Sequence, residues 1–64
     1  GMAVHTENGE LLGNISEILE TGSNDVYVVA GQGEDLLLPA IAQVVLEVDV
    51  LERRMIVRLL EGLR

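Results

Sequence analysis

The stretch LETGSNDVYVV, residues 19–29, decides how this chain is interpreted, because it places a polar loop between two apolar segments. Gly22 can adopt backbone angles that are closed to other residues, and Asn24 tolerates the left-handed region. The side chains of Thr21 and Asp25 can bond nearby backbone amides in place of a ladder partner. The pattern therefore predicts a turn between two strands. Since two residues are enough for a tight hairpin turn, the length of the loop leaves open a second role in recognition.

Short apolar segments follow this loop and are separated by turn signals. DVYVVA, residues 25–30, predicts a strand with two apolar faces, because β-branched and aromatic residues crowd it. EDLLLPA, residues 34–40, predicts a second strand, which Pro39 ends because proline has no amide hydrogen to donate. VVLEVDV, residues 44–50, alternates, and MIVRLL, residues 55–60, follows it as a last strand. One face of the alternating strand is expected to carry Val44, Leu46, Val48 and Val50.

The residues before the loop contain one clear hairpin and one ambiguous segment. MAVHT, residues 2–6, predicts a strand, and the Asn8-Gly9 pair that follows is favoured where two successive residues need positive φ in a tight hairpin. LLGNISEILE, residues 11–20, has its apolar residues at helical spacing, which by itself favours a helix. A strand with a bulge near Gly13 would also break strict alternation. These residues alone leave both alternatives open.

Five or six short strands joined by glycine-bearing turns predict an all-β fold, either a small antiparallel barrel or a sandwich. The 64 residues are enough for one domain, residues 1–64, with a small core. Cysteine is absent, so no disulfide or thiolate metal site can stabilise the fold, and a cytoplasmic location is expected. The longest uncharged run, residues 36–46, is too short to span a bilayer, so no membrane association is expected.

Charge is divided unevenly along the chain. Residues 1–52 carry ten aspartates or glutamates and no lysine or arginine, whereas residues 53–64 carry four arginines and one glutamate. The last four residues, EGLR, are expected to form a tail that leaves the domain. Nucleic-acid binding depends on cations that release counterions from phosphates, so this distribution argues against direct binding of RNA or DNA. It favours a basic protein as partner, unless the acidic residues serve only to keep a small aliphatic domain soluble.

Catalytic and ligand-binding patterns are incomplete. His5 is the only histidine, so no histidine cluster exists to bind a metal. The chain has no Gly-x-Ser-x-Gly elbow, and GQGEDL, residues 31–36, lacks the third glycine of a dinucleotide-binding loop. Glu47 and Asp49, two apart on one strand face, are more typical of a solvated face than of an acid pair. The sequence predicts a protein that is not an enzyme, with no cofactor and no metal; the alternative, a small hydrolase, would require a pocket that contains a base.

Three segments resemble the C-terminal PRC-barrel domain of the RimM family of bacterial ribosome maturation factors. They are ETGSNDVYVV at residues 20–29, LLLPAI at 36–41 and VVLEVDVLERRMIVRLLEGL at 44–63. The opening GMAVHTENGELLGNISEILE fits the same pattern. The most specific part is Thr-Gly-Ser-Asn-Asp-Val at residues 21–26, whereas Leu12-Gly13 and Val48-Asp49 occur across PRC barrels in general. The acidic pair at residues 34–35 departs from the basic residue that the family often has there, and Leu60 stands where a proline is frequent.

This resemblance implies a small six-stranded antiparallel β-barrel, in which residues 11–20 become a bent strand rather than a helix. It also implies that the chain is the C-terminal part of a longer protein whose N-terminal domain is absent here. The implied function is that of a ribosome assembly factor. It would bind a basic ribosomal protein in the head of the small ribosomal subunit and support late subunit maturation and rRNA processing, with little direct nucleic-acid binding by this domain.

The resemblance also implies a set of residues that either bind the partner or shape the loop. They are Thr21, Gly22, Ser23, Asn24, Asp25, Tyr27 and Pro39. The alternative is a generic PRC-barrel adaptor that self-associates as a weak homodimer. Its dimer face would be formed by the apolar strands VYVV, residues 26–29, and LLLPAI, residues 36–41.

Overall fold

The computed structural model describes residues 1–31 and 33–60, and in these residues the chain forms six β-strands and no helix. The strands are β1 (Ala3–Thr6), β2 (Leu11–Leu19), β3 (Val26–Ala30), β4 (Leu36–Pro39), β5 (Val45–Asp49) and β6 (Arg54–Val57). They belong to one sheet, so the predicted all-β class is confirmed. None of the described residues belongs to a helix that could cross a membrane. The predicted tail, residues 61–64, and Gln32, in the GQGEDL segment, lie outside the described residues.

The sheet has the strand order β4-β3-β2-β1-β6-β5. Four neighbouring pairs are antiparallel, as predicted, but β1 and β6 run parallel to each other. This pair departs from the antiparallel prediction because β1 and β6 are the first and last strands of the chain. A tight hairpin forces its two strands to be antiparallel, and no hairpin joins these two. Their pairing places residues 3–6 beside residues 54–57.

The predicted hairpin at Asn8-Gly9 is confirmed, with a different turn. The Gly9 amide donates a hydrogen bond to the Thr6 carbonyl at 2.9 Å, and the Thr6 amide donates one to the Glu10 carbonyl at 2.8 Å. Gly9 has a φ of 91°, whereas Asn8 does not have a positive φ. A single glycine in the left-handed region therefore closes a loop longer than two residues, instead of a two-residue turn with both residues at positive φ.

Strand β2 is bent by two bulges. One extra residue lies at Leu12, where the register with β1 shifts, and a second lies at Ser16, where the register with β3 shifts. Each bulge resets the alternation of the strand, which explains why the apolar residues of this segment fall at helical spacing. The helix that the local pattern favours is therefore wrong. The bent strand implied by the family resemblance and the bulge near Gly13 are both confirmed.

The core is a cluster of buried aliphatic and methionine side chains. They are Val4, Val29, Leu38, Val44, Met55 and Val57. Leu38 comes from β4 and Val44 directly precedes β5, so the two ends of the strand order contribute to the same cluster. A sheet whose two ends cover one core must curl, as the sheet of a barrel does.

Strand β5 differs from its predicted pattern. Of the four residues expected to share one face, only Val44 is fully buried. Leu46 is 40% exposed, Val48 is 47% exposed and Val50 is 72% exposed. The bulge at Leu46 takes that residue out of the ladder to β6 and resets the alternation, whereas Val48 pairs with the buried Met55 and stays on the inward side although it is 47% exposed. As a result Val45, opposite the core residue Val57, takes an inward position. Val50 lies in the turn that follows the strand.

The approach of β2 to β3 gives a first testable prediction. A methyl group added at Gly13 would meet the carbonyl group of Ala30, and Gly13 has a φ of +150°. We expect Gly13→Ala to lower the free energy of unfolding by about 2–4 kcal/mol, because strain and overpacking add. Urea denaturation followed by circular dichroism measures the change.

The matched control is Gly33→Ala, since nothing lies within 4 Å of a Cβ added at that position. Its unfolding midpoint should stay close to that of the unsubstituted chain. Equal midpoints for the two variants would show that the close approach at Gly13 does not constrain the fold.

Candidate functional site

The polar loop between β2 and β3 is exposed over residues 20–25, which confirms the predicted turn between two strands. The Thr21 hydroxyl donates a hydrogen bond to the Asn24 carbonyl at 2.5 Å and accepts a longer one from the Ser23 amide at 3.5 Å. Gly22 has a φ of 86°, a conformation that glycine adopts at no steric cost. Asn24 does not have a positive φ. Within the loop, the Thr21 hydroxyl makes the side-chain hydrogen bonds and Gly22 adopts the positive φ.

Three polar side chains of the loop, those of Ser23, Asn24 and Asp25, make no hydrogen bond or ion pair within residues 1–31 and 33–60. Asp25 is held by its main chain, because its carbonyl accepts a hydrogen bond from the Ala40 amide at 2.8 Å. Exposed polar side chains of this kind can bind another molecule without first breaking a contact within the chain.

The two other residues implied by the resemblance point to opposite sides of the sheet. Tyr27, on β3, pairs with Leu38 and packs against the core cluster in a half-buried position. Pro39 ends β4, as predicted, and pairs with Val26, one position away from Tyr27, so it faces the outer side. Because Ala40 follows Pro39 and binds the loop, the end of β4 lies beside the loop. The fold thus brings Pro39 and the loop together and turns Tyr27 inward.

Leu19 and Leu37 are exposed apolar residues near the loop that are absent from the predicted set of partner-binding or loop-shaping residues, although Leu37 lies in the segment first considered for a dimer face. Leu19, the last residue of β2, is 39% exposed, and Leu37, in the middle of β4, is 53% exposed. A signal for Leu37 was present, because alternation along LLLP forces it outward once Leu36 and Leu38 face the core. For Leu19 the bulges of β2 remove any simple alternation, so only the register shows its face.

Charged side chains are divided between the two halves of the sheet. Strands β2, β3 and β4 with their connections, residues 11–39, contain five carboxylates and no lysine or arginine, and we call them the acidic half. The arginines of the described residues lie in or next to β6, at Arg53, Arg54 and Arg58. Arg58 forms an ion pair with Glu7 at 3.3 Å, and since both side chains are about half exposed it contributes little to stability. The acidic half therefore presents charge of one sign.

Ligand-binding groups are sparse in the part of the chain that the structure describes. No three of its His, Asp and Glu side chains are grouped so that they could hold a metal ion. An open depression of about 700 Å³ beside the bulge of β2 has Glu10 and Glu34 as its titratable lining residues. His5 and both serines are absent from its described lining. The depression therefore lacks the histidine base and the hydroxyl nucleophile that the hydrolase alternative would use.

Comparison with known proteins gives one consistent result. The family model described as the RimM PRC barrel domain matches residues 1–63. The ribosome maturation factor RimM of Caldanaerobacter subterraneus subsp. tengcongensis is 59% identical over 63 residues, which are 98% of this chain and 38% of that protein. The ribosome maturation factor RimM of Geotalea uraniireducens is 57% identical over 63 residues, 98% of this chain and 36% of that protein.

A solved structure agrees with these relatives. The crystal structure of a Pseudomonas aeruginosa protein, described as a 16S ribosomal RNA processing protein RimM, superposes with a TM-score of 0.87. It is 38% identical, and the match covers 92% of this chain and 39% of that one. The chain therefore spans well under half the length of the proteins that it matches.

The hydrogen bonds of the loop give a second prediction. Thr21→Val removes the hydroxyl while keeping the shape of the side chain, so we expect the free energy of unfolding to fall by about 1 kcal/mol. Asn24→Ala removes a side chain without a partner in the described residues, so we expect a change within about 0.5 kcal/mol. Urea denaturation of both variants makes the comparison. A larger loss for Asn24→Ala than for Thr21→Val would mean that Asn24 holds the loop.

Proposed function

The chain belongs to the RimM PRC-barrel family, and from that premise we propose that it is a protein-binding module of a ribosome maturation factor. The observation that carries the proposal is the match over residues 1–63, in which relatives named ribosome maturation factor RimM are more than half identical. The module acts by binding and not by catalysis. It supports late maturation of the small ribosomal subunit and the accompanying rRNA processing, which takes place in the cytoplasm.

The partner that we propose is a basic ribosomal protein in the head of the small subunit. Charge supports this choice, because residues 1–52 carry ten acidic residues and no lysine or arginine. Opposite charges on two proteins accelerate their encounter and favour correct orientation. The same distribution disfavours direct binding to RNA, whose phosphates would be repelled by the acidic half.

Within this module the predicted residues take different parts. Thr21 and Gly22 shape the loop, which is supported by the hydrogen bonds of the Thr21 hydroxyl and by the φ of Gly22. Ser23, Asn24 and Asp25 contact the partner, which is supported by their exposure and by side chains that are free of other bonds in the described chain. Tyr27 anchors the start of β3 to the core, and Pro39 adjoins the contact region.

A second candidate function is self-association. The strands first considered for a dimer face use one of their two faces for the core, since Val29 and Leu38 are buried in it. The observation that favours self-association lies at the other end of the sheet. There β5 is a terminal strand, and the turn after it carries Val50 and Leu51, which are 72% and 94% exposed. A molecular mass that rises with concentration in sedimentation equilibrium would support this candidate, and a constant monomer mass would remove it.

Titration of the isotope-labelled chain with purified head proteins of the small subunit tests the proposed function. We expect saturable NMR shifts with one basic protein, including shifts at residues 21–25. Raising the salt concentration from about 50 to 300 mM should weaken the affinity by roughly fivefold or more, because exposed charges are screened. The absence of shifts with every head protein, or binding that is unaffected by salt, would contradict the proposal.

A loop variant tests the contact role separately. We expect Asn24→Ala to weaken binding to that protein by about tenfold, as the loss of a contact residue does, while its unfolding curve stays unchanged. The control is Ser16→Ala, because Ser16 lies on β2 and its hydroxyl donates to the Val28 carbonyl within the sheet. Affinity that falls only in proportion to lost stability would make the loop a structural element.

A further inference from the structure

The acidic half has an apolar outer face in addition to its apolar inner face. On β3 the residues Tyr27 and Val29 point towards the core, so Val26 and Val28, which alternate with them, point outward. Residues directly paired across an antiparallel ladder point to the same side. The registers of β2, β3 and β4 therefore give two outward rows of three residues. They are Glu17, Val28 and Leu37 in one row and Leu19, Val26 and Pro39 in the other.

We call these six positions the outer array. Five of them carry aliphatic side chains and one carries a carboxylate. Leu37 is 53% exposed and Leu19 is 39% exposed, whereas Val28 between the two strands is only 8% exposed. The array is therefore a small apolar surface in which the central Val28 is buried and the leucines on both sides of it are exposed. Contiguous exposed apolar groups rimmed by polar residues are typical of protein-binding surfaces.

The rim of the array has charge of one sign. Glu20 follows β2 directly and Asp25 directly precedes β3, so both lie at the end of the row that contains Leu19. Asp35 directly precedes β4, at the other end. No lysine or arginine occurs in residues 11–39 to neutralise these carboxylates. An apolar surface with such a rim is complementary to a segment that combines aliphatic and basic side chains.

The exposed apolar residues near β5 do not carry the same argument. Val50 and Leu51 are more exposed than any apolar residue of the array, but Glu52, Arg53 and Arg54 follow them in the chain. The charge around them is mixed, so it does not specify the charge of a partner. In contrast, the outer arrays of two copies of this chain are not expected to bind each other, because their acidic rims would repel when brought face to face.

We infer that the outer array is the docking surface for a segment of a basic protein in which aliphatic side chains alternate with lysine or arginine. Leu37 and Leu19 contact the aliphatic side chains, and Glu17 within the array attracts the cations together with Glu20 and Asp35 at its rim. This inference rests on the proposed function and adds to it the face of the sheet that binds and the chemistry of the segment that is bound.

The first test uses a synthetic peptide that alternates lysine with leucine, titrated into the labelled chain. We expect saturable NMR shifts that cluster on the outer array and disappear in the variant Leu37→Thr, which keeps a residue suited to a strand. The matched control is Leu51→Thr, which alters an apolar residue that is 94% exposed in the other half of the sheet and should bind the peptide as before. A peptide that alternates glutamate with leucine should cause no shifts.

Three results would overturn the inference. They are shifts centred near β5, equal binding of both peptides, and a Leu37→Thr variant that folds and binds the basic peptide normally. If Leu37→Thr does not fold, Glu17→Gln replaces it, since this exposed carboxylate lies in the array, and Glu52→Gln, in the β5–β6 turn, is its control. We expect at least a threefold weaker affinity for Glu17→Gln and no change for Glu52→Gln.

A second test separates the inference from the proposed function. Purified small ribosomal subunits are mixed with the unsubstituted chain, with Leu37→Thr and with Leu51→Thr, and the bound fraction is measured by sedimentation. If Leu37→Thr weakens binding at least tenfold and Leu51→Thr leaves it unchanged, the inference and the proposed function are both supported. Binding that neither variant weakens overturns the outer array as the docking surface and leaves the proposed function intact. If the subunits fail to bind although the basic peptide does, the proposed function fails and the docking surface stands.

Discussion

The close approach of β2 to the end of β3, at Gly13 and Gly31, is the constraint on which the rest of this structure depends. A Cβ at Gly13 would meet the Ala30 carbonyl, and a Cβ at Gly31 would lie 2.5 Å from the Leu12 carbonyl. Two backbones can come this near only where side chains are missing. Because β2 lies between β3–β4 on one side and β1–β6–β5 on the other, its bends set how the two halves of the sheet curl towards each other.

That curl makes a small core possible without disulfides and with Tyr27 as the aromatic residue that packs against it. The buried cluster is formed by aliphatic side chains and one methionine, contributed by strands that are far apart in the chain. The parallel pairing of β1 with β6 adds a direct ladder between residues 3–6 and 54–57. A chain of this length buries only about 60% of the surface that it exposes when unfolded, so each of these long-range contacts is a large share of the total stability.

The same curl separates the surface into regions of different character. Residues 11–39 contain no lysine or arginine, and the strand order keeps this segment together as one half of the sheet. The arginines of the described chain stay beside β6, where Arg58 is paired with Glu7. An uneven distribution along the sequence thus becomes an uneven distribution in space. This separation of charge in space is the physical basis of the proposed contact with a basic partner.

Local chemistry made several features of this protein readable from the sequence by itself. A glycine after Asn8 marked a hairpin, the β-branched run at residues 26–30 marked a strand, and Pro39 marked the end of another, because each effect depends on neighbouring residues alone. The motif at residues 21–26 pointed to the family that the comparisons show. Only the tertiary structure decided the bulges at Leu12, Ser16 and Leu46, the parallel β1–β6 pair and the outward rows of β2–β4. These depend on register between strands, and a shift of one residue reverses every side chain without changing any local preference.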